Sequence, residues 1–151
     1  MPSANTQAAV QLDLLPGHAI RRLQQISTGI FHQEMQDLGI TPVQYSALQT
    51  VQDQPGIDQR TLANLIALDA STTAGVVDRL EARGLLARSA SPTDRRVRLL
   101  SLTAEGEAML AQVLPAMLRV QDMILAPLPP DQSEDFMRML RDRKSTRLNS
   151  S

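Results

Sequence analysis

The stretch between Asp58 and Thr103 constrains this chain most, because its punctuation admits one local order. Asp58 precedes an apolar-periodic run and can accept from an orphan amide of a helix's first turn, with Ile57 and Leu62 placed as a hydrophobic staple across it. That helix is expected to end near Ala67. Asp69 caps the next one, whose Thr73, Val76, Val77 and Leu80 form an inner stripe, and Gly84 falls where a left-handed C-cap is wanted. Two short helices therefore lie a tight turn apart. Leu85–Ser89 and Val97–Leu102 read as short strands joined by Ala90-Ser91-Pro92-Thr93-Asp94-Arg95-Arg96, whose Pro, Ser and Asp suit a turn. Thr103 then caps a further helix, so the predicted order is helix, turn, helix, β hairpin, helix.

The flanks are helical as well. From Gly17 to Leu38, Ile20, Leu23, Ile26, Ile30, Phe31, Met35 and Leu38 recur near the 3.6-residue period, and Gly39 closes that helix. Thr41-Pro42-Val43-Gln44 has the form of a capping box with proline at the first helical position, opening a second helix to about Gln52 before Pro55-Gly56. After Thr103 a long helix is expected to Leu125, lined by Met109, Val113, Met117, Val120 and Ile124, with a kink at Pro115. A sixth starts at Asp131, and its apolar stripe of Phe136, Met137 and Leu140 then stops. With 151 residues, no Trp, one Tyr and two Phe, the chain suits a single, mainly α domain with a small β hairpin and an aliphatic core.

The terminal run from Asp142 to Ser151 breaks the composition: Lys144 is the only lysine, against fourteen arginines. The run matches the translation of a common short-read sequencing adapter and is set aside from fold reasoning, the alternative being a solvated basic tail. Residues 1–141 then hold 12 Arg against 15 Asp and Glu, about net minus 3. Positive charge for a nucleic-acid partner must therefore be local.

Several classes lose support at once. Without cysteine there is no disulfide, thiol sensor or thiolate zinc site, and His18 and His32 alone give poor support to a metal site. No His-x-x-x-His pair, Gly-rich phosphate loop or paired catalytic carboxylates appear, so neither an enzyme nor a cofactor is expected. No stretch approaches the roughly 20 apolar residues of a membrane span, and a cytoplasmic location is expected.

Helix, tight turn, helix and hairpin is the winged helix-turn-helix order, whose second helix enters the major groove of double-stranded DNA. The outer face of the Asp69-capped helix carries Ser71, Gly75, Asp78, Arg79 and Ala82, with Thr72 on its flank. Small hydroxyls there can meet phosphates or base edges, and Gly75 lets backbone approach closely; equally, Ser71, Thr72 and Thr73 can simply satisfy a first helical turn. Arg88, Arg95, Arg96 and Arg98 against the single Asp94 give the hairpin a formal charge of plus 3. Arginine suits a narrow minor groove, although a solvated basic turn is the bland alternative. A winged helix that binds a protein partner without DNA is the rival function, and steep salt dependence of DNA affinity discriminates against it.

The wording Leu38-Gly39-Ile40-Thr41-Pro42-Val43-Gln44, then Leu62-Ala63, Asp69-Ala70-Ser71-Thr72, Val77 to Leu86, Asp94-Arg95-Arg96 and Leu102-Thr103-Ala104-Glu105-Gly106 resembles the MarR family of winged-helix regulators, from about Leu15 to Leu140. The resemblance implies a homodimer whose helical dimerisation lobe comes from about 15–40 and 103–141, a winged helix-turn-helix over 41–102, and a near-palindromic operator. It also implies that Arg96 enters the minor groove while Asp94 orients the wing, with Arg79 as a candidate partner. Gly17 to Gln25 looks like the branch controlling aromatic-acid catabolism, which implies a repressor released by a small-molecule effector such as an aromatic carboxylate or its coenzyme A thioester. His18, Arg21, Arg22 and Gln25 share one helix face and suit an anion; a solvated or dimer-contact polar rim is the alternative.

Overall fold

The computed structural model describes residues 10–145. After a 3₁₀ turn at Leu12–Leu14 come α1 (Pro16–Met35), α2 (Pro42–Asp53), β1 (Ile57–Asp58), α3 (Gln59–Leu65), α4 (Ala70–Ala82), β2 (Leu86–Ala90), β3 (Arg98–Leu102), α5 (Ala104–Leu125) and α6 (Pro130–Ser145). The caps lie where the sequence places them. Thr41 and Gln44 close a reciprocal capping box, at 3.2 Å in each direction. Asp58 accepts from the amide of Thr61 and Asp69 from that of Thr72, both at 2.8 Å, while Thr103 accepts from Gly106 at 3.0 Å. Gly84 is left-handed at φ 73°.

One core joins the two halves. Leu48 and Val51 of α2, Leu62 of α3, Val77 and Leu80 of α4 and Leu86 and Leu100 of the hairpin bury together, continuous with Phe31 and Met35 of α1 and Leu110, Val113 and Val120 of α5. α1 packs along α5, and Arg119 donates to Glu34 across them at 3.2 Å. Gly106 marks a close approach: a Cβ there would overlap the carbonyl oxygen of Leu85, so the start of α5 lies directly on the strand entering the wing. Thr103 fixes the same junction, donating from its hydroxyl to Gly84 at 2.6 Å.

Two expectations are corrected. A third strand exists: β1 pairs antiparallel with β3, giving the order β1-β3-β2, and at two residues it is too short to show a period in sequence. Pro115 lies inside α5, within the single helix from Ala104 to Leu125. α5 is also long and apolar enough, by length and composition, to cross a membrane, where none was expected. Leu110, Val113, Ala116, Met117 and Val120 account for that character, because they are core residues of this domain. α6 continues into the terminal run as far as Ser145, and the rest of that run lies outside the described residues.

Candidate nucleic-acid interface

α4 presents the face expected of a reading helix. Thr73, Val76, Val77 and Leu80 are buried, whereas Ser71, Thr72, Asp78, Arg79 and Ala82 are exposed. The Thr72 hydroxyl is already engaged, donating to Asp69 at 2.6 Å, so in the free chain Thr72 completes the cap and Ser71 is the unengaged hydroxyl of that turn. Those bonds hold the Asp69 carboxyl below its ordinary pKa, the side-chain bond first and the backbone bond second, and Thr61 does the same to Asp58. Gly75 is half-buried, with the Arg79 guanidinium in ordinary contact distance of where its Cβ would be. Arg79 thus folds back along the helix toward the turn expected to meet base edges.

The wing is fixed to this helix by an ion pair that sequence reading assigned elsewhere. Arg88 on β2 donates from Nε to Glu81 at 2.7 Å and pairs through Nη2 with Asp78 at 2.8 Å and with Glu81. Hydrogen bonding to Glu81 leads the causes that raise its pKa further. By sequence Arg88 belongs to the cationic hairpin, but its one positive charge is shared between two carboxylates of α4. Arg95, Arg96 and Arg98 remain exposed. For Asp94 the candidate partner Arg79 is corrected: its Oδ1 accepts from the backbone amide of Arg96 at 3.0 Å and from Arg96 Nε at 3.3 Å, and no carboxylate among the described residues pairs with Arg79. The Asp94 carboxylate therefore shapes the wing tip from within.

Away from this face, a cavity of about 330 Å³ opens where α1 and α5 meet α2. Gln24, Thr28, Phe31, Tyr45, Ser46 and Met117 are among its walls. Burial first and the Asp53 charge second raise the Tyr45 phenol above its ordinary pKa, so it stays protonated and donates to Gln49 at 3.2 Å. A second, more apolar groove of about 550 Å³ lies between α1, α5 and α6, with Ile20, Leu23, Ile124, Phe136, Met137 and Leu140 along it. Neither is lined by His18, Arg21, Arg22 or Gln25, which instead bond among themselves, Arg21 with His18 at 3.2 Å and Arg22 with Gln25 at 3.1 Å. Residues lining the first cavity were missed because they come from three helices far apart in sequence. Arg83 was missed as well. From the end of α4 it donates to the Gly39 carbonyl at 2.7 Å and to Gln44 at 3.4 Å, gripping the turn that opens α2.

Comparison with known proteins agrees with this geometry. Residues 40–97 match the MarR family model. The transcriptional regulator HosA of Escherichia coli O111:H- is 36% identical over 124 residues, covering 82% of this chain and 90% of HosA. The chain belongs to the MarR family. Among MarR-type structures, the PcaV transcriptional regulator of Streptomyces coelicolor, crystallised with its natural ligand, is 37% identical at a TM-score of 0.83, covering 92% of this chain and 98% of PcaV. The transcriptional repressor CouR bound to a 23-mer DNA duplex is 30% identical, also at 0.83, over 88% of this chain and 94% of CouR. This MarR-family chain is a DNA-binding transcription regulator.

Proposed function

We propose that the chain acts in the cytoplasm as a homodimeric repressor, using Ser71, Thr72, Gly75 and Arg79 of α4 in the major groove and Arg95, Arg96 and Arg98 of the wing, shaped by Asp94, on the flanking minor groove and backbone of a near-palindromic operator. The observation that carries this reading is the Arg88 bridge, which ties the arginine hairpin to α4 so that both meet DNA as one body. The chemistry needs no catalytic step and no cofactor.

Release by a small aromatic carboxylate is the second half of the proposal. The cavity between the dimerisation helices and α2 offers an aromatic wall in Phe31 and Tyr45 and polar groups in Gln24, Thr28 and Ser46. Arg21 precedes Gln24 and Thr28 by one and two helical turns on the same face of α1, which suits it to the carboxylate, with His18 beside it; Arg22 and Gln25 are assigned to the rim. A second copy is assigned to the apolar groove of α1, α5 and α6. Titration of the purified protein with benzoate, 4-hydroxybenzoate and 4-hydroxybenzoyl-coenzyme A, read by calorimetry and by release of a DNA site selected from a random library, tests both halves. Binding that fails to release DNA, or no selected site at all, overturns the reading.

A further inference from the structure

One cleft beside the wing brings Arg60 of α3 together with the wing arginines Arg96 and Arg98. β1 pairs with β3 at Ile57↔Leu100 and Asp58↔Leu99, and that register, carried on, brings the chain after Asp58 alongside Arg98. The result is a cleft of about 580 Å³ with Asp58, Arg60, Thr61, Arg96, Val97 and Arg98 among its walls. Its one carboxylate is occupied: Asp58 accepts from the Thr61 amide at 2.8 Å and from the Thr61 hydroxyl at 2.6 Å. Arg96 leans on Asp94, whereas Arg60 and Arg98 are exposed and make no ion pair or side-chain hydrogen bond among the described residues. Two unengaged guanidinium groups beside a wing arginine, in a protein of net charge minus 1, make a local anion trap.

We propose that Arg60 and Arg98 together grip a backbone phosphate of the DNA strand bordering the groove that Arg96 enters, which makes α3 a second backbone contact on the far side of the wing. The inference rests on the proposed DNA face, since the cleft and the wing share Arg96 and Arg98. A phosphodiester fits because its two non-bridging oxygens, sharing one negative charge, can each accept from a planar fork, and a groove of this volume admits the phosphate with its sugar. Such a contact carries no sequence information and acts through counterion release.

The test is fluorescence anisotropy with a library-selected duplex and a random duplex of equal length over a series of NaCl concentrations, comparing wild type, Arg60→Gln, Arg60→Lys and Arg96→Ala. Loss of one phosphate contact lowers the slope of log K against log salt by about 0.9, which at 0.15 M salt is about a fivefold loss of affinity. Arg60→Gln is expected to show that loss on both duplexes alike, and Arg60→Lys to restore the slope. An unchanged slope and affinity for Arg60→Gln beside a weakened Arg96→Ala overturns the grip alone; if Arg96→Ala is also inert, the wing reading itself fails. A loss confined to the selected duplex overturns the phosphate assignment in favour of base contact. Wild-type binding of inorganic phosphate that competes with neither duplex places a free anion in the cleft and overturns the DNA assignment.

Discussion

At the residue scale the arginines divide by what surrounds them. Arg96 is 91% exposed at its side chain and leans only on Asp94, so Arg96→Ala removes the proposed DNA contact without touching the core. It is expected to weaken operator binding by about 1–3 kcal/mol and lower the salt slope, as read by anisotropy at several NaCl concentrations. Arg88 is expected to behave oppositely, because it faces Asp78 and Glu81 and not solvent phosphate. Arg88→Met should reduce operator affinity with the salt slope unchanged, by leaving Asp78 and Glu81 of the proposed reading helix without their shared cation; a slope reduced by about one would identify it as a phosphate contact instead. Gly106 shows a third kind of constraint. Gly106→Ala forces a methyl onto the Leu85 carbonyl, and overpacking of this sort costs about 1–3 kcal/mol, to be read as a lowered midpoint in urea.

At the element scale the two short helices are held by their caps, and the caps are carboxylates. Asp58 and Asp69 have folded-state pKa values below their ordinary ones, so their contribution is fully present above about pH 4 and is lost as pH falls through the depressed values. Acid titration followed by far-UV circular dichroism should therefore show a shallower acid limb in Asp69→Asn than in wild type; coincident curves would show that the cap charge does not matter. The end of α4 carries a second link. Arg83 holds the turn before α2, and α2 supplies Tyr45 and Ser46 to the cavity, so recognition helix and cavity wall share one turn. Arg83→Met is expected to leave ligand affinity intact while reducing ligand-driven DNA release, measured as the ratio of DNA affinities with and without 4-hydroxybenzoate.

For the whole molecule, useful specificity requires two reading helices about one turn of DNA apart, and the apolar groove of α1, α5 and α6 is the face assigned to the second copy. Ile20 is 66% exposed there, so Ile20→Glu should spare the fold of one subunit. Burying a residue of this size is worth about 1.5–3 kcal/mol, and the symmetric interface loses it twice. Sedimentation is expected to show a dimer dissociation constant raised at least a hundredfold, with DNA binding lost in parallel; an unchanged constant would move the interface elsewhere.

Much of this was legible in one dimension because caps, staples and stripes are short-range: Thr41 with Gln44, Asp58 with Thr61, Asp69 with Thr72, Gly84 and Thr103 each act within a few residues of themselves. The resemblance, carried by such local words, extended that reading to a family and a fold. Long-range partners were beyond it. Whether Arg88 meets phosphate or Asp78 depends on how β2 lies against α4, and whether Arg60 is an ordinary surface residue or part of a cationic cleft depends on a two-residue strand finding β3. The cavity walls gather from α1, α2 and α5, whose approach is set by packing one shared core. Local backbone chemistry wrote the elements and their order; side-chain packing at a distance decided which charges stay free to bind.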